Sequence, residues 1–520
     1  MDLFKYLLAF SLLFPFLIAY YHLKRYGANS TVHRKAPQLP GALPFIGHLH
    51  LLRGQQPLAR ILGNKADKFG PVFSLRLGHH YGVVISSWEM VKECFTTNDR
   101  IFATRPTMSV SKYLGYDYAA FAISPYGPYW RDIRKLVNLE LLASHQLQKF
   151  KHHQSSELDI CIRELYSLCS ENRKLASNVT LSKWIDDFTF NTTIRMLVGK
   201  RFDSDSSPED LHIKEAIKKV LYLGGVFVVS DFIPSLEWLD IGGHLKSMMH
   251  TSKEVDTILK KWLEEHVQER NACGADVIHT DFMDAMLSII GLDAKTIGYD
   301  RDTIIKATIQ VIIMTGSESI SETLTWAVSL LLNNPSSLKL AKEELDLNVG
   351  SHRWVEESDM KNLTYLQAIV KETLRLYPPG PLSGPREATE DCHIGEYYIP
   401  KGTRLVVNIW QLHRDPRMWS EPDKFQPERF LEENKKVNVK GQNFEFIPFS
   451  SGRRMCPAVT YGFGTVQLVL ARLLQGFNIA TLDGEAVNME EGLGIALPKV
   501  MPVDVIISPR LPLELYYKHF

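Results

Sequence analysis

The chain has 520 residues, with 59 Lys and Arg against 59 Asp and Glu, so its formal net charge is zero and gives no electrostatic argument for a nucleic-acid partner. With 45% hydrophobic and 23% charged residues it reads as globular, with ample material for a core. Its 6 cysteines (Cys94, Cys161, Cys169, Cys273, Cys392 and Cys456) are too sparse for a disulfide framework, which suits a reducing compartment, and its 18 histidines show no zinc-type spacing.

The N-terminus opens on an uncharged run, Tyr6 to Tyr21. With Leu3 and Phe4 it approaches the ~17–25 residues that cross a bilayer. Lys5 lies near its end, where the stem can snorkel, and Lys24 and Arg25 follow. The positive-inside rule then places the bulk of the chain in the cytosol. Residues 1–25 are read as a single-pass membrane anchor, with no small-residue cleavage site in AYYHLKRYG to favour a signal peptide.

Residues 26–48 carry Pro37, Pro40 and Pro44 and read as a stiff, extended hinge. PVFSLRLGHHYGVVISS predicts two short strands with a turn near His79–Gly82. DSDSSPED (Asp203–Asp210) reads as a polar loop. From Ile304 to Asn333 apolar residues occupy most faces, which predicts a long buried helix. A second helix, NLTYLQAIVKETLRLYPP, stops at Pro378-Pro379, and a third begins just past Cys456. No linker divides Arg53 from the C-terminus. Residues 49–520 are therefore one large domain, mainly α with a small β-rich part near its start.

Cys456 has unusual neighbours: Phe449-Ser450-Ser451-Gly452-Arg453-Arg454-Met455-Cys456-Pro457-Ala458. A thiolate ligand needs a positive surrounding, and a helix N-terminus just past it favours negative charge. Pro457 suits a first helical turn, Gly452 permits a tight turn, and Arg454 offers planar donors to a carboxylate. One cysteine with arginines, and no close Cys or His partner, does not make a zinc site but does suit haem.

The segment resembles the F-x-x-G-x-R-x-C-x-G signature of the cytochrome P-450 haem-thiolate monooxygenases, with Ala458 in place of the last glycine. The resemblance implies the cytochrome P-450 fold, haem b as cofactor, and Cys456 as the axial ligand of its iron. It assigns Phe449, Gly452 and Arg454 to the haem site. Trp130 and Arg134, spaced i, i+4 in PYGPYWRDIRKL, are implied at the haem propionates. Glu372 and Arg375 (KETLR), an ordinary helix pair on their own, match E-x-x-R and would form a buried structural triad with Arg429 of FQPERF. Thr315-Gly316-Ser317-Glu318-Ser319-Ile320 matches the oxygen-binding segment with substitutions. There Gly316 thins the helix, and Glu318 with Ser319 is the acid–alcohol pair that delivers protons. Serine keeps the usual hydroxyl but lacks the methyl that fixes χ1.

The resemblance covers nearly the whole chain and is closest to the plant microsomal eighty-two family. TGSES, LSGPREA and LVVNIWQLHRDP look most like its homoterpene branch. By position, the substrate pocket is lined by Val110–Phe121, Leu221–Val229, Ile312–Thr315, Leu382-Ser383 and Ile495–Leu497, largely apolar, which suits a lipophilic substrate. The implied enzyme is an endoplasmic reticulum monooxygenase taking O2 and electrons from an NADPH–cytochrome reductase. Its best-matching reaction is cleavage of tertiary terpene alcohols (nerolidol, geranyllinalool) to homoterpenes. The alternatives are a hydroxylase or demethylase of a flavonoid, coumarin or alkaloid, and, in another class, a haem-thiolate isomerase that needs no reductase. Glu318-Ser319 argues against that last class.

Overall fold

A computed structural model describes residues 34–52, 54–171, 177–202, 207–273, 281–291 and 298–517. The anchor segment 1–25 lies outside the described residues. Among those described, no helix is long and apolar enough to cross a membrane. Seven helices carry the argument: α1 (Pro128–Leu136), α2 (Leu181–Val198), α3 (Pro208–Gly225), α4 (His244–Cys273), α5 (Arg301–Asn333), α6 (Thr364–Leu376) and α7 (Val459–Gly476). At 33 residues α5 is about 50 Å long. It packs on α2, α4, α6 and α7, which is why apolar residues occupy most of its faces. Its start is set by Asp300, whose side chain accepts from the Thr303 N–H at 2.8 Å.

The strands are β1 (Val72–Leu77), β2 (His80–Ile85), β3 (Ser177–Thr180), β4 (Arg386–Glu387), β5 (Cys392–Ile394), β6 (Tyr397–Ile399), β7 (Arg404–Val407), β8 (Phe477–Thr481) and β9 (Asp504–Pro509). One sheet has the order β1-β2-β7-β4, a second β3-β9-β8, and β5 pairs with β6. The β part is thus not confined to the N-terminal region: the β1–β2 hairpin is completed by β4 and β7, strands from the far end of the sequence. Its turn sits at Gly78-His79, earlier than predicted, because Leu77 pairs with His80. Gly78 takes φ +59, and a Cβ there would lie 2.3 Å from the Phe232 carbonyl oxygen.

The described part of the proline-rich segment lies along β1. Leu39 N–H donates to the Ser74 carbonyl (3.0 Å) and Ser74 N–H to that of Pro37 (2.7 Å), with Ala36 and Leu39 buried. The loop expected over Asp203–Asp210 ends earlier than that. Pro208 opens α3, and Ser207 caps it by accepting from the Asp210 N–H at 3.3 Å, the Ser-Pro start that a helix favours.

Candidate active site

The loop before α7 is held in an unusual backbone shape. Ser450 (φ +61) and Gly452 (φ +68) are both left-handed. A Cβ at Gly452 would approach Asp99 Oδ1 to 2.3 Å. The Arg453 N–H instead donates to both Asp99 oxygens (3.1 and 3.2 Å), and its guanidinium bonds Asp99 Oδ2 at 2.6 Å. Cys456 N–H donates to the Phe449 carbonyl at 3.0 Å, closing the loop. Ala458 has φ −100, so the residue in the glycine position of the signature carries no left-handed strain. Burial pushes the Cys456 thiol up, while the Ala458 backbone N–H and the Arg134 guanidinium oppose it.

Around this loop four arginines come together. Arg454 is buried and gives its donors to the carbonyls of Ala103 (2.6 Å), Phe121 (3.2 Å) and Ser124 (2.6 Å). Its guanidinium lies 4.3 Å over the Trp130 ring. Trp130 Nε1–H donates to the same Phe121 carbonyl at 3.0 Å. Arg134, one turn on along α1, donates to the Met455 carbonyl beside Cys456. Arg105 stands outside every motif read from the sequence, and Arg386 was read only within the LSGPREA string, with no role at the site. Both act electrostatically on Arg454. Burial and the neighbouring arginines push Arg454 down to about 8 and Arg386 to about 9, and burial pushes Arg105 to about 10. Arg386 Nε and Nη1 are buried without a hydrogen-bond partner, and Nη1 stands 3.9 Å from Asp99 Oδ1, a carboxylate already bound to Arg453. A buried excess of cations with orphaned donors is costly without an anion.

The long helix α5 packs on α7, which follows the loop. Thr315, Ser317 and Ser319 each donate to the carbonyl four residues back, Ser319 Oγ to that of Thr315 at 2.7 Å. Burial and Asp186 of α2 hold the Glu318 carboxyl above its ordinary range. A Cβ at Gly316 would meet nothing closer than Thr193 Cγ2 at 3.7 Å, so ordinary packing does not explain a glycine there. Cys456 packs against the core cluster that holds Ile320 of α5 and Val459 of α7. Tyr461 bridges this cluster to a second one containing Ile312 and Ile313.

Glu372, Arg375 and Arg429 form a network of their own. Glu372 bonds Arg375 at 2.7 and 2.8 Å and Arg429 at 3.2 Å, and also accepts from the Gln426 N–H at 3.0 Å. The remaining arginine donors reach the carbonyls of His413, Pro422, Ser420 and Glu421. Glu372 and Arg375 are 0% exposed.

The family description "Cytochrome P450" matches residues 37–502 of this chain. The chain belongs to the cytochrome P450 family. It is similar to the demethylepipodophyllotoxin synthase of Sinopodophyllum hexandrum, 48% identical over 92% of each chain. It is equally similar to the dimethylnonatriene synthase of Arabidopsis thaliana, 48% identical over 92% of each. A solved zebra fish cytochrome P450 structure with abiraterone superposes with a TM-score of 0.71 at 26% identity, covering 87% of this chain and 100% of that one. This plant-type cytochrome P450 is an oxidoreductase of the monooxygenase class. Its family carries haem, with iron bound by a cysteine thiolate.

The residues present fit that group. A haem brings two carboxylates, and Arg386 offers orphaned buried donors within a cluster of cations. Haem also brings a cation, which deprotonates a coordinating thiol that burial alone would keep protonated. In the sequence Arg386 was read only as part of the LSGPREA string, which gave it no place at the site. Its role shows once β4 pairs with β7 and the side chain meets Ser450 Oγ and the Ser451 carbonyl, each at 3.2 Å.

Proposed function

We propose that the chain is a membrane-anchored haem-thiolate monooxygenase that oxidises a small lipophilic plant metabolite, with tertiary terpene alcohols as the leading substrates. The observation that carries the haem assignment is the Cys456 loop set among buried arginines, one of them with orphaned donors. Cys456 would bind the haem iron through its thiolate, Arg134, Arg386 and Arg454 would hold the haem carboxylates, and Trp130 positions Arg454 by stacking. Haem with this ligation supplies O2 activation when bound and reduced. Ser319 is fixed on α5 by donating to the Thr315 carbonyl, which leaves its oxygen to accept, and Glu318, protonated more readily than an exposed glutamate, supplies the proton. Phe449 and Gly452 shape the loop, and the missing side chain at Gly316 leaves room on α5 beside the pair. The electrons come from an NADPH–cytochrome reductase at the cytosolic face of the endoplasmic reticulum, where residues 1–25 hold the enzyme.

Two relatives of equal identity carry names from different chemistries, so overall similarity does not choose the substrate. The apolar lining around Ile312 and Ile313 supports an uncharged one. The name of one relative contains dimethylnonatriene, a branched acyclic triene of the kind that nerolidol would leave on losing its head carbons. The test is a product screen by mass spectrometry. Microsomes carrying this protein and a reductase receive NADPH with nerolidol, geranyllinalool, flavones, coumarins and alkaloids. Conversion of a terpene alcohol to its shortened hydrocarbon is the expected result. Hydroxylation or demethylation of another compound, with the terpenes untouched, replaces the substrate. Turnover without NADPH and reductase overturns the monooxygenase in favour of an isomerase.

A further inference from the structure

We propose that Glu322, held one helical turn beyond Glu318 beside Asp186 and the Lys499 strap, is the proton-holding residue that recharges Glu318. This rests on the reading of Glu318 and Ser319 as the proton-delivery pair. Glu318 and Glu322 stand i, i+4 on α5 and so share a face. Between them in sequence, the Ser321 hydroxyl donates to Asp186 Oδ1 of α2, which fixes that carboxylate against α5. The Lys499 backbone and ammonium both act on Glu322, favouring its charged form. The strap is itself tied down: Trp326 Nε1–H donates to the Leu497 carbonyl at 2.9 Å, and Lys499 Nζ lies 4.7 Å over the Trp326 ring. Lys499 Nζ also donates to the Asn488 carbonyl, and the next residues, Val500 and Met501, are exposed, so this end reaches solvent.

Three carboxyl groups crowded around one ammonium do not all ionise readily where Glu318, Glu322 and Lys499 are half-buried. Burial, then Asp186 and Glu318, push Glu322 up to about 8. Burial pushes Lys499 down to about 8 against the pull of Glu322. Asp186 is raised by burial and Asp187, with Ser321 and Lys218 of α3 opposing. Glu322 therefore holds a proton at neutral pH where an exposed glutamate would not. When Glu318 has passed its proton toward Ser319, the Glu322 O–H gives its proton to the Glu318 carboxylate. The Glu322 carboxylate then regains one from the Lys499 ammonium, which is reprotonated by water. No electrons move, and one proton crosses from solvent per cycle of the chain.

The experiment uses the full-length, haem-loaded enzyme. Infrared titration between about pH 6 and pH 10 follows the carbonyl stretch of protonated carboxylic acid. In the wild type this band should bleach with a midpoint near 8, the value set for Glu322, and E322Q should lack that titration. With reductase, NADPH and the panel compound that is converted, wild-type coupling should fall as pH rises through the same midpoint. E322Q should release several-fold more peroxide per NADPH at neutral pH and show no such midpoint. Asp186→Asn gives a second handle: removing that charge should lower the midpoint while the fold persists. A wild-type band with no midpoint in this range, or a midpoint that survives in E322Q, overturns the proposal. E322Q with wild-type coupling at every pH, while E318Q uncouples, overturns it and leaves the Glu318 reading standing. If E318Q itself stays coupled, the reading of the pair fails, whatever Glu322 does.

Discussion

Single side chains set the chemistry of this site. Cys456 is the one cysteine among the described residues placed on a loop among arginines; Cys94, Cys161, Cys169 and Cys392 are buried in the core, and burial raises each of them. Cys456→Ala should abolish oxygenation and remove the thiolate-type absorption of the reduced, carbon monoxide-treated protein. Ser319 lacks the methyl of threonine, yet its hydroxyl is held by the Thr315 carbonyl, which supplies some of the missing constraint. Ser319→Ala should uncouple NADPH use from product and release peroxide, and Ser319→Thr should keep coupling; equal coupling in all three would show that the hydroxyl does not steer protons. Glu322 has a stability consequence. Its folded value of about 8 stands above the ordinary 4.5, so folding takes up a proton. The penalty is absent below about 4.5, grows as pH rises and is complete above about 8. E322Q lacks it, so thermal unfolding should show the variant's Tm gaining on the wild type as pH rises from about 4.5 to about 8.

At the scale of elements, the Glu372–Arg375–Arg429 network ties α6 to the segment around Ser420–Arg429. Every member is buried, and nearly every donor has a carbonyl or carboxylate partner. Removing Glu372 leaves two guanidinium groups without their counter-charge, a cost of about 3–5 kcal/mol. E372A should therefore lower the denaturant midpoint sharply, or fail to accumulate folded protein, while the haem-site residues are untouched. The E-x-x-R spacing was legible because i, i+3 is a property of any helix. The satisfaction of its other donors was not, because His413 and Pro422 reach Arg375 only when the chain returns to α6. The same limit applies to Arg386. Its strand, β4, has two residues, too few for any periodicity to mark.

Across the whole molecule, α5 is the organising element, since it carries Glu318 and Ser319 and packs on α2 and on α7, the helix behind Cys456. The first sheet joins residues 72–85 to residues 386–407, which is why no linker breaks the chain beyond Arg53. The proline-rich segment adds itself to this body through Leu39 and Ser74. Deleting Met1–Arg25 should thus leave the domain folded and shift much of the protein from the microsomal to the soluble fraction. Tight membrane association after the deletion would place a second membrane contact on the domain itself.

Local chemistry was enough to read the long buried helix, the stop at Pro378-Pro379 and the helix that begins just past Cys456, because each depends on residues within a few turns of one another. The apolar period of α5 and the Phe449–Cys456 spacing survive in any context. What tertiary structure decided is who stands opposite whom. It placed Asp99 under Gly452, gathered Arg105, Arg134, Arg386 and Arg454 around one loop, and set Asp186 and Lys499 beside Glu322. Those partners lie far apart along the chain. Burial and charge act through space, so no spacing in the sequence could announce them.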